Sequence, residues 1–163
     1  MKFLFKLSLF TPLLLPLFLV VIFAAALAGN PSSNISNGTT FGRQTTLTAK
    51  EVAQKASISE ERAEDVIKIL NFQLSKEGFT LAGSSGSLAV AERESGFDPK
   101  AINPSGGVAG YFQWSGWSNT INGNRWSKAS RRTLDSDIQL QLMSTELNVD
   151  YKNVKTEMQK ATE

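Results

Sequence analysis

The stretch L-A-V-A-E-R-E-S-G-F-D-P, residues 88–99, decides the fold because it joins a helix to an irregular loop. Residues 88–95 have helical character. Gly96 is the residue type that most readily takes the left-handed conformation found after a helix. The sequence therefore predicts a helix that ends at Gly96, with Glu94 in its last turn. The small residues at 79–87 predict a turn before it.

Glu94 is the strongest candidate for chemistry. Val90 and Ala91 lie four and three residues before it, which predicts that its side chain points with the apolar face toward the core. Shielding from water and the negative end of the helix dipole both disfavour a carboxylate anion there. We therefore predict a Glu that stays protonated near neutral pH, as a general acid at a glycosidic bond requires. Composition alone favours the alternative, a solvated Glu paired with Arg93.

The other carboxylates nearby have simpler interpretations. Glu92 lies nearly opposite Glu94 on the helix and is predicted to be solvated. Asp98 precedes a proline and is typical of a turn, while Asp135 and Asp137 are typical of a helix start. Hydrolysis by two carboxylates needs them about 5–9.5 Å apart. No second carboxylate is identified, which suits a mechanism with one acid.

The residues before this stretch predict two helices. Thr48 and Glu51 have the spacing of a capping box, and a helix to about Ala56 should follow. Ser59 precedes a second helix, which Gly78 ends. The apolar side chains of this second helix recur at helical spacing and comprise Ala63, Val66, Ile67, Leu70 and Leu74.

The residues after it predict a loop region and then more helix. Residues 98–124 are rich in Gly, Pro, Asn and Ser, which indicates loops and a short hairpin. One or two helices should follow from Asp135. The predicted fold is mainly α (α+β), a small helical domain with a loop or short β-hairpin region beside a cleft.

The N-terminus has the pattern of an export segment. Lys2 and Lys6 precede an uncharged run from Leu7 to Ala28. The length of this run favours a membrane anchor, whereas its small-x-small end at Ala28 favours a cleaved signal peptide. Both alternatives stay open, and both predict an extracytoplasmic protein, secreted or anchored to the cell membrane. We assign 1–28 to this segment, 29–46 to a flexible linker and 47–163 to the catalytic domain.

Composition excludes several kinds of chemistry. The chain has no histidine and no cysteine, so Ser-His and Cys-His nucleophile systems are impossible and the usual zinc sites lose their commonest ligand. Carboxylates remain as the plausible acids and bases, and no metal or organic cofactor is implied. Two of the seventeen basic residues precede residue 28, and the fifteen left balance the fifteen acidic ones. This neutral charge gives no indication of nucleic-acid binding.

A longer motif resembles a known family. Residues 94–99 read E-S-G-F-D-P, Ala101, Asn103-Pro104 and Gly106-Gly107 follow, and residues 110–114 read G-Y-F-Q-W. This pattern resembles the phage-tail lysozyme family and is similar, more distantly, to soluble lytic transglycosylases and goose-type lysozyme. Residues 81–91 fit the helix that carries the family's acid. Residues 135–147, which read D-x-x-x-Q-L-x-x-x-x-x-E-L, also resemble a helix of the family. The resemblance covers roughly residues 65 to 150.

The resemblance implies a muramidase or lytic transglycosylase acting on the β-1,4 bond between N-acetylmuramic acid and N-acetylglucosamine. Glu94 matches the family's catalytic Glu, Ser95 the residue that braces it, and Gln113 a contact in the saccharide cleft. Tyr111 and Trp114 are expected to line that cleft, because aromatic rings offer flat apolar faces to sugars. For each of these aromatic residues considered alone, the common alternative is that it is a buried core residue.

The implied partners are peptidoglycan glycan strands, the cytoplasmic membrane through residues 1–28, and a secretion or conjugation apparatus. Secretion as an antibacterial factor is the corresponding expectation if the segment is cleaved. A non-catalytic module for wall binding or assembly is the alternative function. A peptidase or amidase is disfavoured by the absence of histidine and cysteine.

Overall fold

The computed structural model describes residues 44–162, which form five α-helices and a small antiparallel sheet. The helices are α1 (Ala49–Ala56), α2 (Glu60–Phe72), α3 (Leu81–Ser95), α4 (Ser136–Val149) and α5 (Lys152–Lys160). The strands are β1 (Ile102–Asn103), β2 (Val108–Ala109) and β3 (Trp114–Ser115), paired in that order. A π-helical turn (Gln73–Glu77) extends α2, and a 3-10 turn (Arg125–Lys128) precedes α4. The mainly helical α+β class and the hairpin region are confirmed.

The predicted export segment, residues 1–28, and most of the predicted linker, residues 29–46, lie outside the described residues. Between residues 44 and 162, no helix combines the length and the apolar character needed to cross a membrane.

The predicted helix starts are confirmed by their side-chain caps. Thr48 Oγ1 accepts from the backbone N–H of Glu51, and Glu51 Oε2 accepts from the backbone N–H of Thr48 at 2.8 Å, completing the capping box. Ser59 Oγ accepts from the N–H of Arg62 at 3.2 Å, and an Asp135 carboxylate oxygen accepts from two N–H groups at the start of α4. These caps depend on neighbours in sequence, so the pattern alone could locate them.

The predicted turn over residues 79–87 is wrong, because α3 already begins at Leu81. Thr80 caps it, accepting from the N–H of Gly83 at 3.0 Å. The small residues of this segment allow α5 to approach closely: a Cβ on Gly83 would lie 2.1 Å from the carbonyl oxygen of Met158. These small residues let α3 and α5 pack closely together, and the segment that carries them is itself helical from Leu81.

The core lies between α2, α3, α4 and the sheet. It is formed by fully buried side chains from every one of these elements, including Val66, Ile69, Leu70, Phe79, Leu88, Ala91, Tyr111, Trp114, Leu140 and Leu142. Of the apolar positions predicted for α2, all are buried except Ile67, which is partly exposed. Burial of this kind is the main source of stability in a small domain.

Helix α5 has no buried residue; Met158 packs against the core, and several polar contacts also hold the helix. Lys155 Nζ lies 2.8 Å from a carboxylate oxygen of Glu77, whose side chain is only 1% exposed. Gln159 Nε2 donates to the carbonyl oxygen of Glu77, and Thr80 Oγ1 donates to the carbonyl oxygens of Met158 and Ala161. These contacts fix α5 against the π-helical turn and the residue that caps α3, and α5 forms one wall of the site described next.

Candidate active site

A groove of about 480 Å³ opens where the C-terminal half of α3 faces β3, α4 and α5. Its volume falls in the range typical of small-molecule sites. The apolar part of the lining comes from all of these elements and comprises Phe79, Val90, Phe112, Trp114, Met143, Leu147, Tyr151, Val154 and Met158. The polar part comprises Ser87, Glu94, Gln113, Arg125 and Glu146.

Glu94 lines this groove, but its expected shielding from water is wrong. The residue is exposed. It shares a helix face with Val90, which is itself 48% exposed, while Ala91 on the adjacent face is fully buried. The face that carries Glu94 is therefore the groove face, and the core lies to one side of it. Along the described chain, the Glu94 carboxylate makes no hydrogen bond or ion pair.

Glu92 also differs from its prediction as a solvated residue. It is partly buried, and its Oε2 atom has no contact with water and no hydrogen-bond partner among residues 44–162. Burial raises the pKa of this carboxyl. Glu92 does not line the groove, so its environment reflects helix packing.

Ser95 braces the end of α3 against the loop that follows. Its Oγ lies 3.0 Å from the carbonyl oxygen of Ala91 and 2.9 Å from the carbonyl oxygen of Tyr111, and the single hydroxyl proton is donated between these two acceptors. The structure describes no hydrogen bond from Ser95 to the Glu94 carboxylate. The brace therefore acts on the backbone next to Glu94.

Tyr111 does not line the groove, contrary to expectation. It is fully buried, and its hydroxyl donates to Asp65 Oδ1 at 2.5 Å. Burial raises the pKa of the Tyr111 hydroxyl and that of the Asp65 carboxyl, although hydrogen bonds from Tyr111 and Arg62 oppose the shift at Asp65. The backbone N–H of Tyr111 donates to Gln139 Oε1 at 2.8 Å. Tyr111 thus anchors the loop from inside the core.

Gln113 and Trp114 do line the groove. Gln113 has a left-handed backbone, with φ +46°, and its Nε2 donates to the carbonyl oxygens of Ala101 and Gly110 at 3.1 and 3.0 Å. Its amide nitrogen therefore holds the loop, and no hydrogen bond to its amide oxygen is described between residues 44 and 162. Trp114 is only 1% exposed and forms part of the groove floor.

Glu146 is a second carboxylate in the groove that the sequence reasoning missed. Its side chain is 3% exposed. Oε1 accepts from Arg125 Nε at 2.8 Å, and Oε2 accepts from Arg125 Nη2 at 2.6 Å and from Trp114 Nε1 at 2.8 Å. Lys128 Nζ lies 3.7 Å from Oε1. Two signals were available: Glu146 matches the Glu of the family's E-L pair, and it is a Glu at an apolar position of a predicted helix, between Leu142 and Leu147.

The family model for phage tail lysozyme matches residues 64–163, well over half of the chain. The chain belongs to the phage tail lysozyme family. The match includes the whole groove, and membership indicates a lysozyme-like role in cleaving peptidoglycan. No curated protein and no solved structure matches the chain.

The two carboxylates that line the groove have different surroundings. The Glu146 carboxylate is held by three hydrogen bonds, two from Arg125 and one from Trp114, which fix its position. The Glu94 carboxylate has no such partner among the described residues and lies exposed in the groove. In residues 44–162 no cluster of three or more acidic side chains could hold a metal ion.

Proposed function

We propose that this protein cleaves the β-1,4 bond between N-acetylmuramic acid and N-acetylglucosamine, with Glu94 as the single general acid and base. The observation that carries the proposal is that Glu94 is the groove carboxylate without a hydrogen bond or ion pair in the described chain, whereas Glu146 is held by Arg125 and Trp114. Membership of the phage tail lysozyme family supports the substrate class.

Because Glu94 is exposed, its carboxyl can be shielded from water only when the substrate is bound. A glycan strand in the groove displaces water from around the carboxyl, and removal of water favours the protonated form. The general acid is thus formed in the complex, where proton transfer has to occur.

The reaction then needs two proton transfers through one group. Glu94 donates its proton to the glycosidic oxygen as the bond from that oxygen to the muramyl C1 breaks. The resulting carboxylate then removes a proton from water, whose oxygen bonds to C1, or from the muramyl 6-hydroxyl, which gives a 1,6-anhydro sugar. The first route is hydrolysis and the second is transglycosylation. Gln113 and the floor at Trp114 are proposed to hold the strand beside Glu94, and Ser95 to fix the end of α3.

The proposed location is extracytoplasmic. The uncharged run from Leu7 to Ala28 after two lysines supports export, either as a secreted antibacterial factor or as a membrane-tethered enzyme that opens the wall for a secretion or conjugation apparatus.

The second candidate function is a wall-binding module without turnover. The exposure of Glu94 favours it, because the carboxyl lies open to solvent in the described protein. Such a module would keep the groove and its strand affinity and would lack cleavage.

A peptidoglycan gel separates the two functions. We expect the wild-type protein to clear the gel and Glu94→Gln to lose clearing by at least about a hundredfold, because general acid catalysis contributes about 10²–10⁴-fold. Glu92→Gln is the matched control, the same substitution on the same helix outside the groove, and should clear normally. Equal clearing by wild type and Glu94→Gln would remove Glu94 from the mechanism. Retention on peptidoglycan without clearing by the wild type would establish the binding module.

A further inference from the structure

We propose that Arg125 and Tyr151 form a subsite for an N-acetylated hexosamine in the wall of the groove, with the sugar ring stacked on Tyr151 and its acetamido carbonyl bonded to Arg125. This inference rests on the proposed function and specifies which feature of the glycan the groove recognises. Neither residue was identified from the sequence as a site residue. Both line the groove together with Glu94.

Tyr151 presents an aromatic ring to the groove. It is 42% exposed, unlike Tyr111 and Trp114, which are 0% and 1% exposed. The residue lies between α4 and α5, and its backbone N–H donates to the carbonyl oxygen of Glu146 at 2.9 Å, which fixes where the side chain emerges. Of the aromatic residues described in the groove, Phe79 and Trp114 are buried, Phe112 is partly buried and Tyr151 is exposed, so Tyr151 offers ring surface to a sugar.

Arg125 supplies directed hydrogen-bond donors beside that ring. Its guanidinium carbon lies 5.8 Å from the centre of the Tyr151 ring, within the range of a cation–π contact. Nε and one Nη2 hydrogen are held by Glu146, and the structure describes no partner for Nη1. The side chain is 38% exposed, so these remaining donors are accessible.

Glu146 acts here as a positioning residue. Its two-point contact fixes the plane of the Arg125 guanidinium, so the donors left over have a set direction. A sugar stacked on the Tyr151 ring would place a planar carbonyl substituent where the fixed Arg125 donors can bind it. An acetamido group has that acceptor, and the 2-hydroxyl of a plain glucose unit does not. The pair therefore selects N-acetylated sugars, the repeating units of peptidoglycan.

Two soluble tetrasaccharides test this selectivity without turnover. Chitotetraose and cellotetraose share the β-1,4 linkage and differ in having an acetamido group or a hydroxyl at C2. Binding of each is measured by calorimetric titration to the Glu94→Gln protein. We expect chitotetraose to bind at least about tenfold more tightly than cellotetraose.

Variants in the same Glu94→Gln background assign the selectivity to the two residues. Tyr151→Ala should weaken chitotetraose binding about tenfold, while Tyr151→Phe, which keeps the ring, should stay within about twofold. Arg125→Lys keeps the charge, loses the two-point contact and should reduce the preference for chitotetraose. Val149→Ala is the control, because Val149 is 65% exposed near the end of α4 and does not line the groove. Thermal denaturation identifies any variant that has lost its fold.

The outcomes separate this inference from the proposed function. Equal affinity for the two tetrasaccharides, no binding of either, or unchanged binding by Tyr151→Ala would overturn the subsite even if the wild type clears peptidoglycan. Binding that depends on Tyr151 and prefers chitotetraose, in a protein that does not clear peptidoglycan, would support the subsite and reject the catalytic proposal.

Discussion

Replacing Gly83 by alanine should separate α3 from α5 and destabilise the protein. The new Cβ would lie 2.1 Å from the carbonyl oxygen of Met158, about 1 Å inside the 3.0 Å that real Cβ atoms respect. The obstacle is backbone, so the helices must move apart. Overpacking of this kind costs about 1–3 kcal/mol, and alanine recovers about 1 kcal/mol through helix propensity. With a contact this short, we expect a net loss of about 1–2 kcal/mol.

Gly86→Ala is the matched control on the same helix. Its Cβ would meet Met158 Cε at 4.0 Å, an ordinary contact, so alanine should stabilise the protein by up to about 1 kcal/mol. Urea denaturation of the wild type and the two variants gives both free energies of unfolding. Since α5 carries Val154 and Met158 in the groove wall, Gly83→Ala should also weaken binding of peptidoglycan strands. A Gly83→Ala protein as stable as Gly86→Ala would refute the close approach of these helices.

Three further substitutions test the site and its support by the same denaturation assay. Gly110→Ala should lower the free energy of unfolding by about 2–4 kcal/mol, because the φ of Gly110 is +85° and a Cβ would lie 2.3 Å from Gln139 Oε1. A loss below about 1 kcal/mol would contradict this. Glu146→Gln should lower the free energy of unfolding by about 2–3 kcal/mol, since an amide NH₂ would face the Trp114 and Arg125 donors. An unchanged midpoint of urea denaturation would show that these hydrogen bonds contribute nothing to stability. Burial raises the pKa of Glu92 above 4.5, so its ionisation opposes folding as pH rises. Glu92→Gln should therefore stabilise the folded protein at pH 7 by less than about 1 kcal/mol, allowing for solvent screening. The gain in stability should disappear below pH 4.5. A gain that does not change with pH would have another cause.

Features that depend on nearby residues could be predicted from the sequence. The caps at Thr48, Ser59 and Asp135 and the helix end at Gly96, with φ +61°, each involve residues within about one turn of helix. The placement of Glu94 beside a groove followed from the same local pattern together with the family motif. The family resemblance implied a helix from Leu81, which is where α3 begins, whereas the small residues alone predicted a turn. Composition misled there because the reason for the small residues lies on α5, more than seventy residues later.

The direction of side chains in the loop region required the structure. Tyr111 is turned into the core by the left-handed backbone of Gly110 and by Gln139, which the sequence places 28 residues away. Glu94 and Ala91 differ in exposure because the edge of the core falls between their helix faces, and only the packing of neighbouring helices sets that edge. Tyr151 becomes available to the groove for a similar reason, since α5 turns back along α3.

Mass spectrometry of peptidoglycan digested by the wild type and by Glu94→Gln tests the central claim most directly. If Glu94 transfers the proton at the glycosidic bond, the wild-type digest contains new reducing or 1,6-anhydro muramyl ends, and the Glu94→Gln digest lacks both. Reducing ends identify hydrolysis, and anhydro ends identify transglycosylation. Free peptides or new amino termini in the wild-type digest, or the same sugar ends from Glu94→Gln, would contradict the account.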